Sequence, residues 1–207
     1  MKERSIWKLV VLAPVVAVTL GALVGACFVT VGVTARPQPG TFETFIARTV
    51  RNLAIGWHAG DQPNPVPNTE ESIAEGRAHF ADHCAVCHAN DGSGDTEMGH
   101  GLYPRAPDMR LAATQKLADH ELFYIIENGI RLTGMPGWGT GTKAGEEDSW
   151  RLVRFIRRLP HITPEEVEQM EGLNPKSPEE VRQQIEEEKF LGGGAGEPRT
   201  STSTHRH

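Results

Sequence analysis

The chain has 207 residues, room for one or two modest domains and too few for a large multidomain enzyme. Hydrophobic residues make up 38% and charged ones 23%, an ordinary globular balance that excludes wholesale disorder. A net charge of −6 argues against nucleic acid as a partner, because phosphate binding needs a concentrated basic face. Three cysteines cannot build a disulfide framework.

The charge is unevenly spread: residues 1–60 carry +4 and residues 61–207 carry −10. That asymmetry points to two environments. Residues 9–35 contain no charged side chain, more than the about 20 apolar residues a helix needs to cross a bilayer. Lys2, Arg4 and Lys8 precede the run and Arg36 follows it. By the positive-inside rule the N-terminus is cytoplasmic and the rest is exported. A cleavable signal has a shorter apolar core. Val24-Gly25-Ala26-Cys27 resembles a bacterial lipobox, but residues 28–33 stay apolar where a lipoprotein turns polar. A retained single-pass helix is the favoured reading, and both readings tether the chain to a membrane.

After Arg36, Phe42, Phe45, Ile46, Thr49, Val50, Leu53 and Trp57 recur at helical spacing, which predicts a short amphipathic helix. Its apolar stripe suits lipid headgroups or a partner subunit; the alternative is packing on the soluble domain. Residues 61–68 form a proline-rich spacer. A soluble domain is expected from about Thr69, opening with a helix capped by Thr69 or Ser72 that runs to Phe80 or His83. A Gly- and Pro-rich stretch follows over residues 90–108. Further helices are expected over about 117–128, stopped by Gly129, and about 147–159, stopped by Pro160. No strand pattern of convincing length occurs.

Beyond His161, Thr163-Pro164-Glu165-Glu166 and Ser177-Pro178-Glu179-Glu180 are matching helix starts: a cap, a proline at the first helical position and acids in the first turn. The expected organisation is a cytoplasmic N-terminus and membrane anchor (1–36), an amphipathic helix and linker (37–68), an all-α domain (69–161), an acidic helical extension (162–191) and a tail (192–207).

The chemistry lies in Cys84-Ala85-Val86-Cys87-His88. Cys-x-x-Cys-His is the attachment signature of c-type heme. Two thiols reach the two vinyl groups on one porphyrin edge, and the adjacent imidazole reaches the iron. A thioredoxin-like site needs a βαβ setting, and a structural zinc site needs a second ligand pair; neither occurs. One covalent heme also explains how a domain of such length, with long loops, acquires an apolar centre. For the second iron ligand the candidates are Met98, Met109, Met135, His79, His83, His100, His120 and His161. Met135 stands out, because Gly134-Met135-Pro136-Gly137-Trp138-Gly139 is a rigid loop. His/Met ligation raises the reduction potential.

These residues resemble the class I c-type cytochromes, in a small bacterial form, over residues 70–161. The resemblance implies the class I cytochrome c fold around one heme c. It places Gly76 at a close helix crossing, with Leu152 and Phe155 opposite. Cys84 and Cys87 become the covalent attachment points, and His88 and Met135 the axial iron ligands. It makes the carbonyl of Pro107, or less favourably Pro104, the acceptor for the N–H of His88. Arg131 and Trp138 become candidates for bonding heme propionates, against surface-loop or packing roles.

The expected function is a membrane-anchored electron carrier rather than an enzyme. It passes single electrons between redox partners on the periplasmic side of a bacterial inner membrane. The alternatives are a fixed subunit of a larger respiratory or photosynthetic complex, and a heme enzyme or gas sensor with an open iron.

Overall fold

A computed structural model describes the backbone of residues 2–31, 34–35 and 37–191, and the side chains of 12–27, 29–30, 34–35 and 37–191. Every regular element among the described residues is a helix. It divides into two units, Met1–Pro37 and Gln38–His207.

The first unit is one helix, α1 (Lys2–Val31), with Pro14 inside it. The hydroxyls of Thr19 and Thr30 donate to the carbonyls of Val15 and Ala26, at 2.8 and 2.9 Å, so the helix itself satisfies those polar groups. Residues 9–11, 28 and 31–33 of the uncharged run lie outside the described side chains. Among the described residues no helix is long and apolar enough to cross a membrane.

The second unit begins with α2 (Thr41–His58) and continues with α3 (Glu70–His79), whose cap is Thr69, accepting from Ser72 N–H at 3.2 Å. A π-helical turn, Phe80–Cys84, leads into the short α4 (Ala85–His88). Two short helices, α5 (Glu97–Gly101) and α6 (Ala112–Gln115), punctuate the glycine- and proline-rich region. Then come α7 (Asp119–Asn128) and α8 (Lys143–Arg158). Helix α8 starts four residues earlier than the sequence pattern indicates, because Thr142 caps it by accepting from Gly145 N–H at 3.1 Å.

The core lies between α3 and α8. Phe80, Val153, Phe155 and Leu159 are almost completely buried, with Trp150 stacked on Phe123 at 4.1 Å. Gly76 sets the crossing: a Cβ there would sit 2.7 Å from the Arg151 carbonyl carbon and 3.2 Å from the Phe155 Cβ.

The core extends past residues 69–161 on both sides. Val66 is buried, and Arg154 of α8 donates to its carbonyl at 2.9 and 2.6 Å, while Asn64 donates to the Trp150 carbonyl at 3.0 Å. The proline-rich segment is therefore strapped along α8. Beyond a 3-10 turn (Leu159–His161), α9 (Pro164–Glu171) brings Met170 into the core at 0% exposure. Both proline-led helix starts form reciprocal caps: Thr163 with Glu166, and Ser177 with Glu180. The last described helix, α10 (Pro178–Leu191), buries no residue. The tail at 192–207 lies outside the described residues.

Candidate functional site

The two thiols and the imidazole of the motif stand together at the end of the π-helical turn and in α4. Cys84 and Cys87 are free thiols, placed one helical turn apart. Burial pushes the Cys84 thiol up to about 12, with Cys87 and Asp82 adding to the effect. Burial also raises Cys87. Both are thus held as thiols rather than thiolates.

His88 is buried enough that its imidazole is pushed below its ordinary value, while the backbone of Pro107 acts in the opposite sense. The buried Nδ1 atom has no hydrogen-bond partner, although the Pro107 backbone lies near enough to act on the ring. Local chain geometry brings Pro107 there. Gly94 N–H donates to the His88 carbonyl at 2.8 Å, and Met109 N–H donates to the Gly92 carbonyl at 2.8 Å. Gly94 has φ +74°, and a Cβ on it would stand 2.6 Å from the Ala106 carbonyl oxygen. Only glycine allows this approach. Of the two prolines, it is the Pro107 backbone that bears on the His88 imidazole.

Sequence reasoning overlooked the residues that back this motif. Thr96 donates its hydroxyl to the Cys87 carbonyl at 3.2 Å and accepts from Gly99 N–H at 2.8 Å. Gly99 packs directly on the Cys87 carbonyl. Arg110 clasps Asp91 and Asp108 at 2.7 and 2.8 Å, and its guanidinium holds the Asp108 carboxyl below its ordinary value. A signal existed: Thr96 followed by Glu97 is a helix-start pattern.

The Met135 loop returns on the end of α7. Gly129 has φ +66°, and a Cβ there would lie 2.5 Å from the Pro136 carbonyl carbon. Ile130 N–H donates to the Met135 carbonyl at 3.1 Å, and Met135 N–H donates to the Thr133 hydroxyl at 3.1 Å. Trp138 N–H donates to the Ile126 carbonyl at 2.9 Å. Met135 is half-buried. Of the other methionines, Met109 and Met170 are buried in the core and Met98 is exposed. Trp138 packs against the core, its ring edge-on to His83 at 5.3 Å. Arg131 is exposed and joins no ion pair among the described residues.

The residues fit a c-type heme. Two free thiols accompany an imidazole whose buried Nδ1 is left without a partner. Apolar side chains of Val86, inside the motif, and Leu132, in the loop before Met135, are left exposed, Leu132 at 92%.

Residues 71–156 match the family described as cytochrome C oxidase, cbb3-type, subunit III. The match supports a c-type cytochrome domain. Such a domain implies heme c binding and a role in electron transfer. No curated protein matches the chain.

Proposed function

We propose that the protein is a membrane-anchored monoheme cytochrome c. It carries single electrons between redox partners on the periplasmic side of a bacterial inner membrane, with its N-terminus in the cytoplasm. Cys84 and Cys87 hold the heme through thioethers, and His88 and Met135 ligate the iron. Bound there, heme supplies a one-electron couple. The protein's residues do the rest. The Pro107 carbonyl orients the His88 ring and raises its basicity. Gly129 and Thr133 hold the Met135 loop in place. The helices α3 and α8 exclude water from one side of the site. The observation that carries the reading is the motif itself: two free thiols at Cys84 and Cys87, followed directly by a largely buried His88 whose Nδ1 has no hydrogen-bond partner.

A second reading is a fixed subunit of a membrane electron-transfer complex. The name of the matching family, an oxidase subunit, favours it. Purification in mild detergent separates the two: a free carrier elutes alone, and a subunit co-elutes with its complex in fixed ratio.

The shared core of both readings is tested by heme staining of a denaturing gel and by carbon monoxide. A stained band at the chain's mass and no binding of carbon monoxide to the reduced protein at neutral pH are expected. Heme that extracts into acidic acetone would refute thioether attachment, and ready carbon monoxide binding would favour an open-iron enzyme or sensor.

A further inference from the structure

Helix α2 carries two opposed faces. Thr44, Arg51 and Ile55, spaced seven and four residues apart, form one line on the helix and are its half-buried or buried residues. With His58, whose ring stacks on Tyr124 of α7 at 6.3 Å, they mark the side that meets the domain. Glu43 accepts from the Tyr103 hydroxyl at 2.5 Å and ties the start of the helix as well. On the opposite side, Phe42, Phe45, Ile46, Val50, Leu53 and Trp57 point outward, with exposures of 79% at Phe42, 69% at Leu53 and 86% at Trp57. The domain therefore does not use this stripe as core. A contiguous apolar stripe of this size on an exposed helix is costly in water and marks an interaction surface.

We propose that the outer face of α2 lies in the plane of a lipid membrane, with its apolar stripe at the headgroup–acyl boundary. Three observations select lipid as the occupant. Phe, Leu and Trp on one face with arginine on another is the composition of in-plane membrane helices. Arg48 is exposed and has no carboxylate partner among the described residues, whereas Arg51 is part of the side that meets the domain. An exposed cation without a carboxylate partner complements anionic headgroups. Residues 32–40 alone connect the end of α1 to the start of α2, a chain of at most about 30 Å at roughly 3.3 Å per residue. This last point rests on the anchored reading; the first two do not.

The consequence is orientation. Tyr103 is bonded to α2, and its neighbour Leu102 packs on Gly134 of the Met135 loop, where a Cβ would stand 2.5 Å away. A docked α2 therefore fixes the Met135 loop relative to the bilayer, and the redox partner meets the domain at the membrane surface.

The test uses the full-length holoprotein in phosphatidylcholine–phosphatidylglycerol vesicles, in a Cys27→Ser background. Nitroxide labels are placed singly through Leu53→Cys, Val18→Cys and Lys143→Cys, and collisions with oxygen and with a water-soluble nickel complex are compared. The Leu53 label should favour oxygen over nickel, as a lipid-exposed site does, while the Lys143 label favours nickel. The Leu53 preference should weaken when phosphatidylglycerol is omitted. A water-like Leu53 label beside a lipid-like Val18 label would overturn the inference and leave the anchor standing. A lipid-like Leu53 label beside a water-like Val18 label would do the reverse. A Leu53 label shielded from both reagents means a protein partner or second copy covers the face, and also overturns the inference.

Discussion

Gly76 of α3 lies so close to Arg151 of α8 that a methyl group on its Cα would overlap the Arg151 carbonyl and press on the Phe155 Cβ. The obstacle is backbone, which cannot rotate away as a flexible side chain would. Gly76→Ala gains up to about 1 kcal/mol in helix propensity but overpacks the crossing, which typically costs about 1–3 kcal/mol. Because α3 leads directly into the heme motif, separating the helices also disturbs the site. We expect a net loss of about 2 kcal/mol, a crossing cost at the upper end of that range less the propensity gain, seen as a lower urea midpoint for the holoprotein. An unchanged midpoint would mean that the helices do not cross here.

Gly76 was legible through the resemblance to the class I c-type cytochromes, which implies a glycine at a close crossing in the helix before the motif. The Thr163–Glu166 and Ser177–Glu180 caps were legible in the sequence itself, because their partners are near neighbours in the chain. What escaped was long-range. Nothing local announces that Val66 and Asn64 bond to α8, nearly ninety positions away, or that Met170 enters the core. The pattern of α2 predicted its amphipathic stripe but not which way it faces; that depends on Ile55 and His58 meeting α7. Helices α5 and α6 are too short for periodicity to reveal. They are held by bonds such as Gln115 to the carbonyls of Met109 and Ile156, at 2.7 and 2.9 Å.

Met135 and Met109 give opposite expectations. Met109 is a core residue at 8% exposure, and Met109→Ala should cost about 2–5 kcal/mol of stability while leaving the iron's spectrum unchanged. Met135→Ala should abolish the sulfur-to-iron charge-transfer band of the oxidised protein and lower its reduction potential, with a smaller loss of stability. Spectra and redox titrations of the two variants decide it. Loss of the band in Met109→Ala alone would move the ligand to that residue.

Glu166 provides a pH-dependent tie between α9 and the rest of the domain. Burial alone would raise its carboxyl, but the Thr163 N–H, Arg158 and Arg77 together hold it below its ordinary value. A carboxyl lowered in the folded state contributes stability above its unfolded value of about 4.3 and loses it as pH falls through the lower folded value. Glu166→Gln keeps the shape and much of the cap but removes the charge. It should be less stable than the native protein at neutral pH, with the gap closing as pH falls below about 4.3. Denaturant midpoints measured across that range test this. A gap independent of pH would assign the whole effect to packing.

The balance of −10 over residues 61–207 predicts a salt-sensitive encounter with a basic or mixed redox partner. Charged encounters are screened over about 8 Å at physiological ionic strength, and added salt should lower the association rate. A membrane tether raises the effective concentration of a partner in the same bilayer and reduces the need for long-range steering. The comparison therefore sets the full chain in liposomes against a fragment in solution. That fragment must begin near residue 38, since Ile55, Asn64 and Val66 belong to the folded unit and a start at Thr69 would remove them. The fragment's electron-transfer rate should fall steeply with salt, and the tethered protein's less so. Many of the acids lie on α9 and α10, where Glu165, Glu179 and Glu180 serve the helix starts. If those helices carry charge only for their own solubility, both rate profiles will be flat, and the partner surface must be sought elsewhere on the domain.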